Sequence, residues 1–503
     1  MNKGIIIILG LLISVTLNAQ EYSINWGEEA KMKGSDMKLF GYDGEHYHLL
    51  TYSKKKPPKI FKYDLSHKLV SEKTTVSQMP TVLSYFHSKE TKNGIFNVSA
   101  YNDKRKEKCD VYISHFKKET FTKPKKVLSH EYKQLARKLY PKDATRLNYI
   151  NHDFSTNWAT SRDSSYVVFS NSVCISDGLN PERIMFTLFD ADMKKVWSKI
   201  HSFDYADKDI EMLQVLPDNE GRIYVLAKEK NKRAAKKKSK ELVKHDFKVF
   251  RVTEDKIETF DVVLDGKIYP TITAMHLFNN ETSAFSVSGF YSDAGFKANH
   301  LGTFCLMFNE DGVKQRAESY PFEKDLLTGI VKNKDLEKGT GLGDEFLLEG
   351  KFYLDNGSFG FINEYFFYNP GQEVINFKTN ELVITLFSKN GTLINVEKIG
   401  KKYRNNHLSK ASFLQGVVGN KLYLVYNDFK TKNGKKGSDG AFTDLTVINS
   451  EGIIETQKTL FTDKELKFLF APGWSSISDK GILLGTFRFA LKKYRFGLID
   501  VAQ

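Results

Sequence analysis

Cysteine is almost missing from this 503-residue chain: Cys109, Cys174 and Cys305 stand far apart, and no Cys-x-x-C pair occurs. A zinc knuckle or a paired redox motif therefore has no basis, and each thiol reads as a small buried apolar residue. Proline, glycine and serine never gather into a linker, so nothing divides the chain into separate bodies. Beyond the first residues no apolar run approaches the length that crosses a bilayer, about 20 residues. Three catalytic signatures are also lacking: Gly-Lys-Ser/Thr of a phosphate loop, His-Glu-x-x-His, and Gly-x-Ser-x-Gly. The glycine-rich stretch Gly339-Thr340-Gly341-Leu342-Gly343-Asp344 leads into a strand rather than a helix, so it reads as a flexible linker and not as a phosphate cradle.

What is present begins with an export signal. Lys3 is followed by the uncharged, mostly apolar run Ile5 to Leu17, and the small residue Ala19 precedes Gln20. The run is too short to span hydrocarbon, so residues 1–19 read as a cleaved signal peptide. They resemble the signal peptides of Gram-negative bacteria, which implies a periplasmic, outer-surface or extracellular location. The remaining 484 residues exceed one ordinary core, at roughly 100–200 residues per domain. A repeat ring or solenoid gives such length without linkers. The formal charge of +14 keeps an exported protein soluble and also attracts polyanions.

One phrase recurs: a very apolar strand, a polar turn, then a mostly polar strand. Clear copies are Phe304 to Phe308 with Glu310-Asp311-Gly312, Leu382 to Phe387 with Lys389-Asn390-Gly391, and Leu445 to Ile448 with Ser450-Glu451-Gly452. Further turns fall near Ser66-His67, Lys118-Glu119, Ala191-Asp192 and Glu254-Asp255, and an eighth apolar strand, Phe496 to Val501, lacks its polar partner. β-rich units at this spacing predict an all-β fold, a closed β-propeller of four-stranded antiparallel blades, eight preferred over seven. Strands such as Gly221 to Leu226, Asn420 to Val425 and Gly481 to Leu484 are apolar on both faces and are expected in the inner strand pair of each blade. Charged strands such as Ser71 to Val76 and Lys314 to Tyr320 are expected at the rim. The stretch Tyr22 to Trp26 is predicted to pair with Phe496 to Val501 and close the ring, within a single domain over 20–503. Ser129 to Tyr140 reads as an inserted helix capped by Ser129, and Lys324 to Gly343 as a polar connection with a short helical turn.

The fragment Leu216 to Leu226, with Pro217, Asp218, Gly221 and Tyr224, resembles the repeat of six-bladed NHL-type and related bacterial propellers. In them a glycine turn leads into an Ile-Tyr-Val strand. No Trp-Asp or Gly-Gly dipeptide supports WD40 or kelch repeats, and Ser478-Asp479-Lys480-Gly481 lacks the frame and the Trp of a sialidase-type Asp-box.

Candidate sites are few. The densest cationic segment, Lys228 to Lys244, holds Lys232, Arg233, Lys236, Lys237 and Lys238 and reads as a hairpin extension able to hold an acidic polymer. Tyr365 and Tyr368, within Glu364 to Gly371, place aromatics beside a turn, suited to sugar stacking or protein anchoring. His46 and His48 share a strand face without a third ligand, so no metal and no cofactor are expected. The expectation is a non-enzymatic binding or scaffold protein meeting a protein or an acidic polysaccharide at the cell envelope. Its rival is a polysaccharide hydrolase or lyase working in the central funnel.

Overall fold

The computed structural model describes residues 22–31, 36–42, 45–53, 56–64, 66, 68–74, 85–103, 108–131, 157–172, 181–206, 209–230, 245–280, 283–293, 299–368, 377–405, 413–429, 441–488 and 491–501. The signal segment 1–19 and the basic residues Lys232, Arg233, Lys236, Lys237 and Lys238 lie outside them.

Eight antiparallel sheets, each built on four strands, form a ring, a β-propeller. Blades 1 to 7 follow one another at 36–74, 85–131, 157–206, 210–262, 269–321, 346–405 and 413–462. Blade 8 combines 469–499 with the N-terminal strand Ile24–Trp26. That strand pairs Ile24 with Ile499, Asn25 with Leu498 and Trp26 with Gly497, as predicted. Blade 5 shows the common plan: Tyr269–Asn280, Ser283–Ser292, Gly302–Phe308 and Lys314–Pro321, each paired with the next. The count of eight departs from the six blades of the NHL-type proteins whose repeat the Leu216 to Leu226 fragment resembles.

Blade faces are apolar because each faces another blade. Tyr224, Leu226 and Val249 of blade 4 pack with Phe285, Val287 and Leu306 of blade 5. Phe290 and Met307 of blade 5 meet Phe361 and Val383 of blade 6. Tyr47 and Phe61 of blade 1 meet Leu483 and Phe496 of blade 8. A buried core of this kind fills every gap around the ring.

Burial does not fall steadily from hub to rim, which corrects one expectation. In blade 5 the second and third strands are buried at every position, and Ile223–Lys230 is a second strand, within the inner pair as expected. The innermost strands are half-open: Phe346–Tyr353 and Phe413–Val418 are mostly intermediate in burial. Middle strands are covered on both faces and both edges, whereas the first strand leaves one edge toward the centre of the ring. The fourth strands are ionic, as predicted.

The predicted polar turns all join third to fourth strands. Several share one mechanism. The side-chain oxygens of Asp190, Asn309, Ser388 and Asn449 each accept the amide four residues on, from Lys194, Val313, Thr392 and Ile453. This Asx or Ser turn needs a left-handed residue three places after the cap. Gly312, Gly391 and Gly452 supply it, and Met193 takes the same position in blade 3 with its side chain buried.

Two insertions differ from expectation. Ser129 caps no helix: it lies in the strand Lys125–Glu131, which pairs with the third strand of blade 2, and its hydroxyl donates to Asp110 at 2.6 Å. An open ladder edge outcompetes the local helical pattern there, and residues 132–140 fall outside the described residues. The connection 322–345 carries two short helices, Lys324–Leu327 and Asn333–Leu336. Its glycine-rich end is pinned rather than loose. The Gly341 amide donates to Asn299 Oδ1 at 2.5 Å, and Leu342, fully buried, bridges to His300.

Two outcomes test this picture. A Cβ on Gly312 would lie 1.9 Å from the Phe260 ring, whereas one on Gly266, equally left-handed, meets nothing within 4 Å. Gly266→Ala should cost about 1–2 kcal/mol, and Gly312→Ala about 1–3 kcal/mol more, measured by urea unfolding. Deleting residues 22–31 should lower Tm by roughly 10 °C and induce association through the bared edge of Lys493–Ile499. An unchanged melt would mean that ring closure contributes nothing.

Candidate functional site

Antiparallel alternation gives the ring two unlike faces. Turns joining first to second and third to fourth strands emerge on one face, the turn face. Loops joining second to third strands, and the links between blades, emerge on the other, the loop face.

The turn face is stapled. Asn93 Nδ2 of blade 2 donates to Asp192 Oδ1 of blade 3 at 2.8 Å, and Thr91 Oγ1 donates to the Ala191 carbonyl at 2.8 Å. Lys92 Nζ reaches Ser165 Oγ at 3.0 Å, and the Asp163 amide donates to Asn219 Oδ1 of blade 4 at 3.2 Å. Between these turns lies a polar pocket of about 320 Å³ lined by Lys92, Asn93, Ser165, Tyr166, Asp190, Asp192 and Asn219. The bonds from Asn93 and Lys194 hold the Asp192 carboxyl below its ordinary range. Burial would raise Asp163, but bonds from Ser165 and Ser161 outweigh it and hold this acid low as well. These carboxylates are engaged with their own turns, which makes the pocket a rigid polar platform.

Of the two segments singled out from sequence, the basic residues 231–244 lie outside the described residues; the strands flanking them, Ile223–Lys230 and His245–Val252, end paired at Lys230 and His245 on the loop face. The strand Phe359–Tyr368 runs to the same face in blade 6. The aromatic segment is a strand end rather than a free tip. Phe366 is buried with Tyr403 and Ala441. Tyr365 is half-buried, edge-on to Phe346 at 5.7 Å, with Lys378 Nζ 5.6 Å from its ring centre, and burial raises its hydroxyl pKa. Tyr368 pairs with Phe377 in the ladder. Phe367, not singled out before, is the exposed aromatic at 49 %.

Beneath this end of blade 6 lies a buried ion pair. Lys401 and Glu364 are both fully inaccessible and in contact, with Lys401 Nζ 5.8 Å from the Phe413 ring centre and 5.9 Å from that of Tyr426.

The hub is where side chains of several blades meet. Arg162, in the first turn of blade 3, lies with its guanidinium carbon 4.5 Å from the centre of the Tyr353 ring, which belongs to blade 6. Lys351 Nζ, also of blade 6, donates to the Met275 carbonyl of blade 5 at 2.8 Å and to Gln214 Oε1 of blade 4 at 3.3 Å. Gln214 Oε1 accepts the Met275 amide as well, and Gln415 Nε2 of blade 7 donates to the Lys351 carbonyl at 2.9 Å. Side chains of blades 3, 4, 6 and 7 and the backbone of blade 5 therefore meet at the centre of the ring. Burial lowers Lys351 to about 8. His276, fully buried, is lowered to about 3 by burial first and by the Lys351 charge second, so it is neutral. None of these residues was picked out from sequence, where Lys351 is one lysine in an ordinary strand.

His48 is buried against Phe116 of blade 2 at 5.0 Å, a packing role between blades. Among the described residues no group of three or more His, Cys, Asp or Glu side chains is placed to hold a metal ion. Cys305 is a free, fully buried thiol whose pKa burial raises.

No protein-family model matches this chain, and no curated protein matches it. Among solved structures it is similar to the β-propeller domain of the Trilobed protease from Pyrococcus furiosus, at 9 % identity, covering 84 % of this chain and 98 % of that one, with a TM-score of 0.37. It is similar to the WD40 domain of SCAP from fission yeast at 9 % identity, covering 95 % and 98 %, with a TM-score of 0.38. It is similar to prolyl oligopeptidase B from Galerina marginata at 11 % identity, covering 87 % of this chain but only 51 % of that one, about half its length, with a TM-score of 0.41. Likeness at this level says nothing about what this chain does.

Breaking the buried pair provides a test of its role. Lys401→Met should cost about 3–5 kcal/mol in urea unfolding, because Glu364 is left charged in the interior, and the double variant Lys401→Met/Glu364→Leu should recover most of that loss.

Proposed function

We propose that this protein is an exported, non-enzymatic binding or scaffold propeller that docks an acidic partner, protein or glycan, on its loop face. A propeller fold supports a binding or scaffold role in general. The observation that supports the finer reading is topological. Lys230 and His245, the described strand ends that flank the cationic segment, and the aromatic strand end at Tyr365 to Tyr368 all lie where second strands pass to third strands, on the same side of the ring. Cations capture a polyanion at range, and aromatic faces add short-range contact. The opposite face is occupied by turns bonded to one another, and the spanned hub leaves little support for a polymer threading through the centre. Among the described residues no helix is long and apolar enough to cross a membrane.

The test uses polygalacturonate as an acidic polymer and the mature chain. Replacing Lys232, Arg233, Lys236, Lys237 and Lys238 together with Ser should weaken binding by at least about tenfold and flatten its dependence on salt. Phe367→Ala should weaken it less, and Asn93→Ala on the turn face should leave it unchanged. Equal binding by the five-residue variant would remove the reading. Export is checked separately, by N-terminal sequencing of protein recovered from the periplasm or medium; a start at Gln20 is expected.

A further inference from the structure

The two deeply placed lysines are treated in opposite ways. Lys401 is sealed away beside its own carboxylate, Glu364. Lys351 is held by two neutral oxygens, Met275 O and Gln214 Oε1, and among the described residues no carboxylate pairs with it. An ammonium so enclosed carries a desolvation cost that neutral acceptors only partly offset. Yet Lys351 keeps part of its surface open, because its strand is the innermost one of blade 6. A second cation stands beside it. Lys351 and Tyr353 are two residues apart in a regular stretch of ladder, so they share a face. The Tyr353 ring carries the Arg162 guanidinium, which is itself exposed and has no carboxylate partner among the described residues. Both cations act on His276, and neutral His276 adds no compensating charge. Tyr353 does not ionise in the ordinary range either, being raised to about 12 by burial, and its hydroxyl accepts the Leu277 amide.

We propose that the hub is an oxyanion site in which Lys351 and Arg162, on either side of Tyr353, receive a carboxylate or phosphate group entering from the turn face. Each ammonium has three N–H donors, of which Lys351 spends two on the protein. A guanidinium lying flat on a ring keeps its edge free for two parallel bonds to an oxyanion. Gln214, already tied to blade 5, fixes the Lys351 head in place. This site is independent of the loop-face reading, since no residue is common to the two.

The experiment titrates inorganic phosphate and, separately, sodium glucuronate into the mature protein by calorimetry at constant ionic strength. Saturable binding of at least one is expected, and the probe that binds shows whether a phosphoryl or a carboxylate group is preferred. Lys351→Met and Arg162→Gln should each weaken it by about tenfold or more. Arg162 is exposed and its replacement leaves the fold intact. Lys351→Met should fold and melt higher without ligand. The sign follows from linkage: the folded-state pKa of Lys351 lies below the free-lysine value of about 10.4, so its charge destabilises below pH 8, and the loss shrinks as pH rises toward 10. The gain in Tm for Lys351→Met should therefore be largest at neutral pH and fade above pH 10. Should that variant not fold, acylation of the wild-type Lys351 amine, mapped by mass spectrometry, replaces it as the readout: the bound probe should slow it at least several-fold. Absence of saturable binding by either probe, unaltered affinity in the variants, or acylation of Lys351 indifferent to the probe would each overturn the site.

Discussion

Everything in this molecule depends on sheets that must be covered on both faces. A strand such as Ser283–Ser292, buried along its whole length, cannot form the surface of anything. Its sheet is stable only between two others of the same kind, and that requirement passes from blade to blade until the chain returns to its start. The N-terminal strand Ile24–Trp26 satisfies it. It gives blade 8 a fourth strand, seats Trp26 edge-on against Phe461 of blade 7 at 5.3 Å, and sends Tyr22 into the core between those blades. With the last gap filled, each blade packs against a neighbour on both sides among the described residues.

A closed ring then separates two kinds of surface. Short hairpins can be held by their own side chains, so the turn face is a band of Asx and Ser turns bonded to their neighbours, as Asn93 is to Asp192. The described strands that run to the loop face end there without such staples between neighbouring blades being needed to close a short hairpin. The hub follows a third logic. Its strands each have one edge with no partner strand, so polar side chains from several blades meet there. Lys401 is given a carboxylate by its own fold, whereas Lys351 is held by neutral oxygens and meets no carboxylate among the described residues.

Some of this was legible residue by residue. The glycines Gly312, Gly391 and Gly452 mark the third-to-fourth hairpins because only a left-handed residue closes that turn without strain. Tyr22 to Trp26 was legible as a closing strand because an apolar final strand without a partner demands one. Ile223 to Leu226 does stand in the inner pair of its blade, but a steady apolar-to-charged gradient failed because two-sided burial belongs to the middle of a blade, not its inner edge. Ser129 misled because its local pattern is helical while the neighbouring ladder edge was open. Within Tyr365 to Tyr368 the sequence could not say which rings are core: a register shift between Glu364 and Phe366 puts Phe366 inside and leaves Phe367 in solvent.

Local chemistry thus determined the fold class, the eight repeats, their turns and the strand that joins the ends, because each rests on neighbours in the chain: alternation, a capped turn, an apolar run. Tertiary structure alone decided which cations stand together. Arg162 and Tyr353 are far apart in sequence and meet over the centre of the ring. Lys351 meets Met275 and Gln214 only because three blades converge there. Contacts between different blades are set by the closure of the whole ring, and no short stretch of sequence contains that information.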